Sequence, residues 1–175
     1  DTNADDNAGA PFDSHSVSIS SDGLGTLKFA GEGGANVQTA QDTTAAGDIW
    51  DSGFGISTAN DPKTSASGNN MMSYTLPSIM DGVGLSASYH PKGSGADSSM
   101  AYAISYTGVE GLTVNYASGE NNSTAGSESD TTSFNVSYAY GPVTVGYSQN
   151  EFDGAGSAAN TDQEVTSYEV SYTVS

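Results

Sequence analysis

Arginine and cysteine are absent from this sequence, and lysine occurs only three times against 21 aspartates and glutamates. The net charge of -18 argues against nucleic acid and anionic headgroups as partners, because both are recognised by basic clusters. Without cysteine there is no disulfide framework and no thiolate metal site. No apolar run approaches the ~18 residues that a membrane-spanning helix needs. The chain opens at Asp1 with no Met, no basic stretch and no apolar leader. The expectation is therefore a removed signal, or a start inside a longer chain. Hydropathy would read such a sequence as soluble, but the alternating strands of a membrane barrel escape that measure.

What the sequence does contain is alternation with a period of two. Val83, Leu85, Ala87 and Tyr89 share one phase, and Gly84, Ser86 and Ser88 the other. The same division separates Tyr102, Ile104 and Tyr106 from Ala103 and Ser105, and Leu112, Val114 and Tyr116 from Thr113 and Asn115. It recurs at Phe134, Val136, Tyr138 and Tyr140, at Val143, Val145 and Tyr147, and at Tyr168, Val170, Tyr172 and Val174. Shorter stretches lie at Val17 and Ile19, at Leu27 and Phe29, and at Tyr74 and Leu76 before Pro77. Nine strands and no helix are predicted.

The connections alternate in length. Tight turns are expected at residues 22–25, 80–82, 108–111 and 141–142, which are rich in glycine, aspartate and proline and so tolerate unusual dihedrals. Long polar segments are expected at residues 34–70, 90–98, 118–130 and 150–163. One edge of the sheet then carries only tight turns and the other only long loops, as in a membrane barrel. A soluble β-sandwich would also alternate. Its outer face, however, would normally carry many Lys and Glu, whereas the polar phase here is Ser, Thr, Asn, Ala and Gly, with few charges such as Lys28 and Glu169. Tyrosines also recur near the strand ends (Tyr89, Tyr106, Tyr116, Tyr140), where the aromatic girdles of a barrel lie.

Three stretches carry a family resemblance. They are Gly23-Leu24-Gly25-Thr26-Leu27-Lys28-Phe29-Ala30-Gly31, Gly47-Asp48-Ile49-Trp50-Asp51-Ser52-Gly53-Phe54-Gly55, and Asn69-Asn70-Met71-Met72-Ser73-Tyr74-Thr75-Leu76-Pro77 with Gly82-Val83-Gly84-Leu85-Ser86-Ala87-Ser88-Tyr89 after it. The sequence resembles the general bacterial porins over nearly its whole length. The resemblance implies an all-β, transmembrane antiparallel barrel of sixteen strands, a homotrimer in the bacterial outer membrane, and a third long loop folded back into the lumen. Residues 1–175 then form a single barrel domain, with residues 34–70 as the inward constriction loop, three strands missing before Asp1 and four after Ser175. The implied function is passive diffusion of small hydrophilic solutes and ions, with outer-membrane lipid as the surrounding partner and no catalysis. The sequence departs from the family in having no Arg, whereas the resemblance implies one near Asn69 and Asn70 and a basic ladder on the wall facing the loop.

The candidate constriction residues are Lys28, Glu32, Asp42, Asp48, Trp50, Asp51, Phe54 and Asp61. Carboxylates facing water would set the field of the pore and favour cations, and Trp50 and Phe54 would anchor the loop. Lys28, in the polar phase of its strand, is expected to point into the lumen opposite the acids. The alternative for this segment is an outer loop away from the pore.

Other chemistry is thin. His15 and His90 are isolated, and zinc needs three or four convergent ligands. Asp1, Asn3 and Asp5 begin like a calcium loop, but Asp6 and Phe12 stand where the pattern requires Gly and Glu. Weak calcium binding at Asp1, Asp5, Asp6, Glu151 and Asp153 accompanies the competing reading, an acidic calcium-dependent surface or adhesive β-protein. A barrel enzyme is a third reading, and it would need a Ser–His pair that neither histidine is placed to supply.

Overall fold

The computed structural model describes residues 15–38, 64–91, 97–122, 128–154 and 162–174. Nine strands form one sheet, β1 (Ser16–Ser21), β2 (Gly25–Ala30), β3 (Met71–Thr75), β4 (Val83–His90), β5 (Ser99–Tyr106), β6 (Leu112–Asn121), β7 (Ser129–Tyr140), β8 (Val143–Gly154) and β9 (Gln163–Tyr172). Spatial order follows chain order, so every neighbour is reached by a direct connection. All pairings are antiparallel. Among the described residues β1 and β9 do not pair with each other, and the sheet is not closed.

The tight turns depend on local backbone chemistry. Gly111, between β5 and β6, has φ +77, and a Cβ there would stand 2.3 Å from the carbonyl oxygen of Ala139. Only glycine satisfies both the dihedral and the close approach. Tyr74 ties the first turn to the sheet by donating its hydroxyl hydrogen to the carbonyl of Leu24.

Burial is inverted relative to a soluble protein. Along β9, Ser167 and Glu169 are 4% and 6% exposed, while Tyr168 and Val170 beside them are 79% and 72% exposed. On β7 the covered residues are Ser129, Thr131, Ser133 and Asn135, and on β5 they are Ser99, Ala101 and Ala103. Phe134, Tyr138, Tyr140, Tyr102 and Ile104 form the open face. A side chain such as Val or Tyr left in water forfeits roughly 1.5–3 kcal/mol of burial energy. A continuous face of them therefore needs an apolar covering, which the lipid around a membrane barrel supplies.

The register gives the strand inclination. Thr26, Thr75, Ser86, Ala103, Ala117 and Ser133 form one row of direct partners from β2 to β7. The tight-turn edge lies one residue below this row at Gly25 and seven below it at Tyr140. It descends six residues over five interstrand spacings. With ~3.4 Å per residue and ~4.8 Å between strands, that is an inclination of about 40°, inside the range of transmembrane barrels.

Two expected loops are shorter than their sequence pattern implied. β6 and β7 stay paired to Asn121 and Ser129, and β8 runs to Gly154 opposite Ser129 of β7 and to Phe152 opposite Gln163 of β9. In these extensions the outward phase becomes polar too, with Glu120, Asp130, Glu151, Asp153 and Glu164. Backbone hydrogen bonding continues there while the hydrophobic alternation that reveals a strand is gone.

Candidate functional site

The polar phase forms one continuous surface. Its central row is Ser18, Lys28, Ser73, Ser88, Ala101, Gly119 and Thr131. In the polar phase of the nine strands only Lys28, His90 and Glu169 are ionisable. Apart from Met71, Phe152 and Val165, the rest offers hydroxyls, amides and small side chains, many of them paired with one another. The Asn115 side-chain amide donates to the Asn135 side-chain oxygen at 2.8 Å, and the Ser148 and Ser167 hydroxyls are 2.6 Å apart. Such a wall supplies water and hydrated solutes with hydrogen-bonding partners along its length while fixing little charge itself.

The long connection between β2 and β3 lies against this surface at both of its described ends. Gly34 and Gly68 exchange two backbone hydrogen bonds and extend the β2–β3 ladder. Beyond them the arms meet through side chains. Asn36 is buried; its backbone N–H donates to the Ser67 hydroxyl at 2.9 Å, and its amide to the same hydroxyl at 3.0 Å and to the carbonyl of Ser65. The sheet receives both arms. The Val37 N–H donates to the Ser88 hydroxyl at 3.1 Å, and the Ala66 N–H to the Asn121 side-chain oxygen at 2.7 Å. The Ser99 hydroxyl donates back to the Ala66 carbonyl at 3.0 Å.

Gln38 has no exposed surface. Its amide nitrogen donates to the Ser133 hydroxyl at 2.8 Å. Its amide oxygen accepts from the Thr131 hydroxyl at 2.8 Å and from the Ser65 N–H at 3.0 Å. Gly119 makes the contact possible, since a Cβ there would stand 2.7 Å from Ser65 and 3.0 Å from the Gln38 amide oxygen.

Of the candidate constriction residues, two are described. Lys28 is exposed and stands in the same strand phase as buried Ala30, on the polar side. Glu32 is buried just beyond β2. Asp42, Asp48, Trp50, Asp51, Phe54 and Asp61 lie outside the described residues. So do Asp1, Asp5 and Asp6, whereas Glu151 and Asp153 sit in the outward phase of β8 opposite Glu164 and Asp130. Among the described residues no three His, Cys, Asp or Glu side chains are grouped to hold a metal ion.

Sequence reasoning passed over Asn36, Gln38, Ser65, Thr131 and Ser133, because uncharged polar residues in a polar segment carry no distinctive pattern. Gly119, where Ser65 meets the wall, lies near the end of β6 inside residues 118–130, which the sequence pattern reads as a loop, and a glycine in a loop is unremarkable.

No curated protein matches the chain. The Gram-negative porin family model matches residues 1–175, in agreement with a sheet that buries its polar face, turns its apolar face outward and inclines its strands at a barrel's angle. The chain belongs to the Gram-negative porin family, as part of a β-barrel channel of the bacterial outer membrane.

Proposed function

We propose that the chain contributes to a passive, cation-preferring diffusion channel for small hydrophilic solutes, with residues 34–70 folded inward as its constriction. The observation that carries this reading is the anchorage of both described arms, through Val37, Gln38, Ser65 and Ala66, to side chains of the polar face. A segment rooted there narrows the aqueous side and not the lipid side. The family's ordinary assembly makes a homotrimer the expected form, and its role is that of a channel and not an enzyme.

Selectivity follows from where the charge lies. The described wall is nearly neutral, so the field of the pore comes from the 21 acids, most of them outside the apolar bands. Among these, Asp42, Asp48, Asp51 and Asp61 belong to the segment read as the constriction. Carboxylates around a narrow passage select cations, and the low-dielectric surroundings focus their field. The preference should shrink as salt rises, because the Debye length falls from ~10 Å at 0.1 M to ~3 Å at 1 M.

Reversal potentials of the full-length protein in a planar bilayer under a KCl gradient test the reading. Cation selectivity at low salt and neutral pH is expected, and it should fall more for Asp48→Asn with Asp51→Asn than for Glu151→Gln with Asp153→Asn. An anion-selective or non-selective channel would overturn the preference. The reverse order of the two double variants would move selectivity to the outer mouth.

A further inference from the structure

We propose that Gln38 is the positioning residue that sets how far the inward segment stands from the wall, and thereby the steadiness of the open pore. This rests on the reading of residues 34–70 as the constriction. The backbone ladder at Gly34 and Gly68 holds the two arms to each other at their root but not to the far wall. Asn36 repeats that role, since its side-chain bonds run to Ser65 and Ser67 of the opposite arm. Gln38 does something different. One amide joins three parties, the opposite arm at the Ser65 N–H and β7 at two successive inward residues, Thr131 and Ser133.

The geometry is selective for a glutamine. The site requires one group that donates and accepts at the same time, at the end of a chain long enough to reach β7. Aspartate and glutamate lack the donor, lysine lacks the acceptor, and serine is too short. Gln38 and Thr131 are both almost fully buried, so water does not readily replace the lost partners. The Gly119 carbonyl, 3.1 Å from the Thr131 hydroxyl, shares that group's single hydrogen with the nearer Gln38 oxygen. The absence of a side chain at Gly119 lets the Ser65 arm come down onto the wall beside it. Both ends of the intervening chain are therefore fixed at one point on β6 and β7, and closing the Gln38–Ser65 contact spans 27 residues.

Among the described residues, loss of this anchor releases the arms from β7 and leaves them held to the wall only at Val37 and Ala66, on β4, β5 and β6, while Asn36 keeps them joined to each other. Undocking then needs correspondingly less energy. A pore whose constriction moves in and out shows extra conductance levels, whereas general weakening of the barrel shows as earlier unfolding. Three neutral hydrogen bonds lost together raise the population of the undocked arms by about 100-fold, and one bond by about fivefold.

Single-channel recording of the full-length protein tests this, alongside thermal denaturation of the same samples. Gln38→Leu should raise the frequency of conductance substates by about 100-fold, and Thr131→Val or Ser133→Ala by about fivefold, from the same bond count. The unfolding temperature should change little, because the barrel ladder is untouched. The milder variants serve if Gln38→Leu fails to assemble. Rescue uses Ser65→Cys with Gly119→Cys, whose Cβ atoms would lie close enough that a shift of about 1 Å permits a disulfide. Added to Gln38→Leu, the oxidised pair should restore steady openings and the reduced pair should not. Failure of that disulfide to form in otherwise native channels would overturn the inward reading itself. A disulfide that forms, with variants as steady as the parent, would overturn only the role given to Gln38.

Discussion

A single lysine, moved along one face of one strand, should change sign in its effect on stability. The outward residues of β7 are Asp130, Thr132, Phe134, Val136, Tyr138 and Tyr140. With strands inclined at about 40° and ~3.4 Å per residue, Phe134 to Tyr140 spans about 16 Å along the membrane normal. Val136 then lies within about 3 Å of the middle of that apolar stretch, and Thr132 about 10 Å from Val136 towards the loops. Val136→Lys places a charge near the midplane and should cost roughly 2–4 kcal/mol. Thr132→Lys stands directly opposite Glu151 and should be neutral or stabilising by about 0.2–1 kcal/mol, the worth of an opposite-charge cross-strand pair. Urea titration of the full-length protein folding into lipid vesicles measures both. Equal costs at the two positions would refute the depth assignment, and with it the inclination derived from the register.

Two further changes follow from the same map. Glu151 and Glu164 are direct cross-strand partners, with Gln149 donating to both at 3.0 and 3.3 Å; Glu164→Lys should stabilise by about 0.2–1 kcal/mol, and a loss of stability in the same titration would contradict the pairing. On the polar face, Asn115→Ala removes a donor to buried Asn135 and should cost about 1 kcal/mol, more than Ser105→Ala; equal costs would show that the polar face carries no specific pairing.

The strands were legible in the sequence wherever one phase was apolar and the other was not. Tyr102, Ile104 and Tyr106 against Ala103 and Ser105 define both the strand and its lipid side, because only a two-residue period serves a sheet with two different solvents. Legibility ended where both faces meet water. At Ser118 to Asn121, and from Glu151 to Gly154, the strands persist on backbone pairing alone, and no side-chain pattern records it. The family resemblance pointed to residues 34–70 as an inward loop through its acids and aromatics. The described anchor instead uses Asn36, Gln38 and a row of hydroxyls on β4, β5 and β7. Their partners are up to 95 residues away in sequence. Long-range hydrogen bonds between uncharged polar groups leave no local trace. Gly119 leaves none either, because the pattern places it in the loop after β6, where glycine is ordinary.

The central claim is that β7 separates lipid from an aqueous lumen residue by residue. The sequence has no cysteine, so single cysteines can be placed in turn at Phe134, Asn135, Val136, Ser137 and Tyr138 of the membrane-inserted full-length protein and spin-labelled. Collision with oxygen, which concentrates in lipid, should peak at Phe134, Val136 and Tyr138. Collision with a water-soluble nickel chelate should peak at Ser137 and exceed its lipid-side values at Asn135, with a period of two throughout. Uniform accessibility along the strand, or peaks in the opposite phase, would contradict the barrel orientation on which the pore depends.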